Sequence, residues 1–148
     1  MVAMYATALV LHLLAATVWT GGHLVLATCV LPRALAAGDA QILKSFEQGY
    51  ERIGIPALLI QVATGLWLAH LQLPPAQWLD LATPQSHLIA TKLGLLALTA
   101  AFAVDARLRL IPKLSAATLP SMAWHIWPVT LFAVLFVLVG AGFRLAWG

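Results

Sequence analysis

His12, Trp19 and His23 are spaced as residues that share one face of a helix. Separations of seven and eleven residues, at about 100° per residue, put Trp19 and His23 within about 20° of His12. Ala15, Ala16 and Gly22 lie on or beside that stripe, and small residues there let a neighbouring helix or a flat cofactor come close to the backbone. The two imidazoles are about 16 Å apart along the axis, too far for one metal ion, so they suit two stacked sites. The plain alternative is that each imidazole bonds a carbonyl or hydroxyl of a neighbouring helix.

The elements that must position these residues are membrane helices. Of the 148 residues, 62% are hydrophobic and 9% are charged, against about 25% charged in a soluble domain. The apolar residues fall in four long blocks, and about 20 apolar residues cross a hydrocarbon core of about 30 Å. The sequence therefore reads as all-α, an integral membrane four-helix bundle running up-down-up-down, with residues 1–148 forming one domain. The helices are expected at about 4–31, 53–73, 87–111 and 122–147, with a polar, interfacial helical run-in over about 38–52 that carries Asp39, Lys44, Glu47, Glu51 and Arg52. Pro32 is expected to close the first helix, Pro56 to lie near the start of the second, Pro74-Pro75 to stop it, and Pro128 to kink the fourth. Trp78, Trp124, Trp127 and Trp147 fall near helix ends, as in an aromatic belt. The apolar opening lacks a basic leader, so it reads as a retained helix. The lone Cys29 reads as a small apolar filler.

Four crossings put both termini on one side, with the loop near residues 74–86. The opposite side carries Arg33, Lys44, Arg52, Arg107, Arg109 and Lys113. The positive-inside rule makes that basic side cytoplasmic and the termini periplasmic, in a bacterial inner membrane. A formal net charge of +3, with dispersed basic residues, excludes a nucleic-acid partner. The sequence has no HExxH, no CxxC and no Gly-rich phosphate loop.

Ionisable groups inside such spans are costly and are functional candidates by default. By depth, His12 belongs with His87 or His70 in an outer cluster, and His23 with His125 in an inner pair. His87, Thr91, Gly94 and Asp105 share one face of the third helix, which makes His87 the better inward candidate. His70 lies about 180° from Gln61 and beside Trp67, as an interfacial anchor would. Gly54, Gln61 and Gly65 form the small, polar stripe of the second helix. Lys92 and Arg144 lie in the outer half, where they could neutralise an anion such as a haem propionate or snorkel to headgroups. Glu47 and Glu51 read as a solvated interfacial face, and Asp105 as a local ion pair with Arg107 and Arg109.

The run from His12 through Trp19 to Gly21-Gly22 resembles the opening helix of the CopD-like membrane proteins. The resemblance extends to Ala63-Thr64-Gly65-Leu66, to Thr83-Pro84 through Lys92-Leu93, and to Asp105-Ala106-Arg107 with Pro112. It implies copper resistance or copper uptake across the inner membrane. A weaker similarity links His12, Trp19, Gly22, Lys92 and the stretch from Phe46-Glu47 to Pro56 with the HemJ-like protoporphyrinogen oxidases, where it implies roles for His12 and Lys92. His23 and His125 have no counterpart there.

Two chemistries follow. In the leading reading the histidines are copper ligands at two depths, His12 with His87 or His70 and then His23 with His125, assisted at the rim by Met1 and Met4. A periplasmic copper carrier or a redox partner would then meet the outer face, and an oligomer is compatible with either. In the alternative, b-type haem is held by the same histidine pairs, with Trp19 and Gly22 beside the macrocycle and Lys92 and Arg144 near the propionates. A third reading is a structural or assembly subunit whose histidines only bond between helices.

Overall fold

The computed structural model describes residues 2–145. Helix α1 (Val2–Val25) widens into a π-type turn at Leu26–Val30 and continues as α2 (Leu31–Ala37). Helix α3 (Ala40–Gln72) follows, then a short turn at Pro75–Gln77 and helix α4 (Pro84–Asp105). A second π-type turn (Ala106–Leu110) and a tight turn (Ile111–Lys113) extend α4, and α5 (Leu119–Leu145) completes the chain. Among the described residues there is no strand. The four rods, Val2–Ala37, Ala40–Gln72, Pro84–Lys113 and Ala116–Leu145, are each long and apolar enough to cross a membrane. The chain is an all-α four-helix membrane bundle.

Several helix ends differ from the expected ones. Pro32 does not close the first helix, because the π-type turn ahead of it accommodates the ring. Leu31 N–H bonds back to Leu26 O, five residues away, where a regular turn would bring the next donor, which Pro32 lacks, against a crowded carbonyl. Ile111-Pro112 repeats the arrangement, with Ile111 N–H bonded to Ala106 O. The first rod ends instead at Gly38, whose φ of +60° suits a residue without a Cβ. Asp39 then starts α3, accepting from Gln41 N–H at 2.8 Å. The polar run-in and the second span form one continuous helix that runs through Pro56. Helix α4 begins at Pro84, three residues earlier than expected, because Thr83 and Ser86 close a capping box ahead of it. Helix α5 begins at Leu119 and is assigned continuously through Pro128; Trp147 lies outside the described residues.

Helix α1 packs against both α3 and α5, and α4 packs against α5. Helices α3 and α4 do not pack along each other, although the chain joins them directly. Glycines bring α1 and α3 together: Gly22 and Gly54 accept the ring of Tyr50, and Gly65 accepts that of His12. At the end away from the termini, Ala27, Leu31, Ala34, Leu43, Leu114, Leu119, Met122 and Ile126 form a closed apolar plug. The candidate site lies directly beside this plug.

Candidate functional site

A cavity of about 450 Å³ lies where α3 and α4 pack only sparsely. Trp19 and His23 of α1 and Met122, His125 and Ile126 of α5 border it, as do Phe46, Tyr50 and Gly54 of α3 and Phe102 of α4. Glu47, Glu51 and Arg107 also border it, and Arg107 Nη1 meets Glu51 Oε1 at 2.8 Å, joining α3 to the turn after α4. His23 and His125, expected as an inner pair, thus line one space.

In the neutral rings of His23, His125 and His12, the hydrogen bonds determine which nitrogen carries the proton. His23 Nδ1 is 2.9 Å from Trp19 O, one turn earlier. A carbonyl can only accept, so Nδ1 carries the hydrogen and Nε2 is left with a lone pair. His125 Nε2 is 2.7 Å from Asp105 Oδ2, and its Nδ1 is buried with no hydrogen-bond partner. Here the carboxylate accepts from Nε2–H, and Nδ1 holds the lone pair. His12 Nδ1 lies 3.0 Å from both Gln61 O and Thr64 Oγ1. Thr64 gives its own hydrogen to Ile60 O at 2.6 Å, so it too accepts from His12, and Nε2 is left as the base. Each of the three imidazoles therefore has one nitrogen anchored and a second outside the hydrogen bonds of the described residues. Metal-ligating histidines are commonly held in this way, through the N–H remote from the metal.

Aromatic packing fixes the surroundings. The rings of Trp19 and His23 are 4.4 Å apart, and Tyr50 stands edge-on to His23 at 6.0 Å. Tyr50 OH donates to Val18 O and Trp19 O, both at 3.1 Å, so Trp19 O accepts from Tyr50 and from His23. Phe102 lies 5.2 Å from the His125 ring. Thr130 Oγ1 reaches Ile126 O at 2.7 Å and His23 O at 3.3 Å, tying α5 to α1 at the depth of the histidines.

The remaining candidates lie apart from the cavity. His12 packs on Gly65 and bonds α3, and no second histidine is among its bonded partners. His87 is exposed, contrary to its expected inward position, because the buried face of α4 runs through Ser86, Ile89, Leu95 and Thr99. His70 is also exposed, its ring 6.4 Å from that of Trp67. Lys92 is half-buried, its Nζ against Gly140 and 5.7 Å from the centre of the Phe143 ring. Arg144 reaches Tyr5 OH at 3.5 Å. Met1 lies outside the described residues, and Met4 is exposed. Among the described residues, no group of three or more His, Cys, Asp or Glu is placed to hold a metal.

Sequence reasoning did not single out Tyr50 or the bond between Asp105 and His125. Tyr50 and Gly54 are four residues apart and so share a face, which was a usable signal. Asp105 does pair with Arg109, four residues on, as its local charge pattern implies. Its bond to His125 depends on how α4 packs against α5, which no local pattern encodes. Glu51 pairs with Arg107 rather than with its neighbour Arg52, and Glu47 borders the cavity.

The family model described as copper resistance protein D, CopD, matches residues 44–143. The matched region includes the α3, α4 and α5 walls of the cavity, with Tyr50, Asp105 and His125, and leaves out α1 with His12 and His23. No curated protein and no solved structure matches the chain.

Proposed function

This chain belongs to the CopD family, copper resistance protein D, and from that premise we propose that it is a multi-pass membrane protein that binds copper as cargo in the cavity bordered by His23 and His125. The observation that carries the reading is the state of those two imidazoles. Each has one N–H tied to an acceptor, and each keeps a second nitrogen for a ligand bond. His125 Nδ1 is a buried nitrogen without a hydrogen-bond partner, an unmet interaction that a ligand reaching it would satisfy. Met122 adds a thioether to the same lining, and imidazole with thioether is a donor set that suits copper.

His12 forms the other layer, nearer the termini, about 16 Å from His23 along α1. The basic residues at the plug end make that end cytoplasmic and the termini periplasmic, in an inner membrane. Copper handed over by a periplasmic carrier would meet His12 first and the cavity second. The lipid bilayer is the surrounding partner throughout.

The test is a Cu(I) titration of the purified protein in detergent against a competing chelator, with an optical spectrum of the protein as isolated. Copper binding that is lost in His23→Ala and in His125→Ala is expected. A Soret band with split α/β bands on reduction makes haem the resident group and overturns the copper reading. Unchanged copper binding in both variants removes the cavity from the reading.

A further inference from the structure

His12 and His23 give their anchoring N–H to backbone carbonyls, Gln61 O and Trp19 O, which no substitution can delete. His125 is different. Its anchor is a side chain, Asp105, held on the adjacent helix and bonded in turn to Arg109. The carboxylate lies 2.7 Å from Nε2 and half-buried, so the two imidazole tautomers are not equivalent. With the hydrogen on Nε2 the pair makes a charge-assisted bond; with it on Nδ1, two lone pairs face each other. Phe102, 5.2 Å away, packs against the ring.

We propose that Asp105 is the positioning residue of His125: by accepting Nε2–H it selects the tautomer of the neutral ring that carries its lone pair on Nδ1, while Arg109 holds the carboxylate in place. The proposal rests on the copper reading for its purpose, though not for its geometry. Asp105 need not touch the cargo. It sets which nitrogen of its neighbour can.

Two measurements test it. In metal-free protein labelled with 15N-histidine, long-range nitrogen–proton correlation reads the tautomer directly. The Nε2–H form is expected for His125 in the wild type, and a shift towards Nδ1–H in Asp105→Ala. Asp105→Asn keeps the volume and serves if the alanine variant does not fold. Its amide can donate as well as accept, so both tautomers are expected. An Nε2–H form that persists unchanged in the folded variants overturns the proposal, whatever copper does.

The second measurement is a Cu(I) titration. Asp105→Ala is expected to weaken binding by about 10- to 100-fold, the usual effect of removing the residue behind a ligating histidine. Asp105→Asn, whose amide oxygen can still accept Nε2–H, is expected to lose less than Asp105→Ala. Equal losses in the two folded variants overturn the proposal, since Asp105 would then be acting by its charge alone. If His23→Ala and His125→Ala both bind copper normally, the copper reading fails, while the tautomer result still decides the role of Asp105.

Discussion

The ring of Tyr50 occupies the space that a side chain on Gly22 would need: a Cβ built there overlaps three atoms of the phenol. Gly54 leaves the same ring room from its own helix, a Cβ there falling 2.8 Å from Tyr50 Cε1. Tyr50 is thus keyed between α1 and α3, and its hydroxyl reaches the carbonyl that also anchors His23.

Gly22→Ala must therefore displace Tyr50. The expected cost is about 1–3 kcal/mol, the usual range for overpacking, read as a lower midpoint of thermal unfolding in detergent. Gly21 has nothing within 4 Å of a Cβ, so Gly21→Ala is expected to be neutral or to stabilise by up to about 1 kcal/mol. Adding Tyr50→Ala to Gly22→Ala should recover part of the loss. Equal midpoints for the two glycine variants would show that the slot carries no strain.

His12 and His23 lie on one helix but in separate surroundings, with His12 against Gly65 and His23 against the cavity. His12→Ala is expected to leave the copper affinity of the cavity within about 2-fold of wild type, because sites more than about 10 Å apart with no shared partner behave additively. His23→Ala should abolish that binding. Loss of cavity binding in His12→Ala would mean that the two layers are one coupled site.

Arg107 and Glu51 meet at the edge of the cavity, with their side chains 60% and 34% exposed. A pair so open to water contributes about 0–1 kcal/mol, so Arg107→Gln should hardly move the unfolding midpoint. It does remove a positive charge beside Glu47 and Glu51, both of which border the cavity. Stopped-flow Cu(I) uptake is expected to become faster at low ionic strength, with the gain shrinking as salt rises. An uptake rate that does not depend on this residue would place the entry route elsewhere.

Leu43 is 1% exposed within the apolar plug. Leu43→Ala is expected to cost about 2–5 kcal/mol through the cavity it leaves, while the number of copper ions bound per folded chain stays the same. A change in that stoichiometry would show that the plug takes part in binding.

The four spans were legible because a crossing needs only length and apolarity, and Gly54, Gln61 and Gly65 were legible as a small, polar stripe because they repeat at helical spacing. Helix ends were harder to read. Pro32 and Pro112 look like stops until a π-type turn is placed ahead of them, and such a turn leaves no composition of its own. That His23 and His125 border one cavity agrees with their depth along the helices. The phase of His87 was not legible in this way, since capping by Thr83 and packing by Ser86 and Ile89 decide which way α4 faces. Asp105 looked settled by Arg107 and Arg109, yet Arg107 turns to Glu51 and the second oxygen of Asp105 bonds a residue twenty positions away on another helix.

The sparse packing between α3 and α4 also sets a timescale. That flank of the cavity is closed by side chains such as Glu51 and Arg107 rather than by two helices in register. Exposed side chains change rotamer in picoseconds to nanoseconds, whereas displacing packed helices takes microseconds to milliseconds. This flank can therefore open by the turning of a few side chains, while the four rods stay at rest.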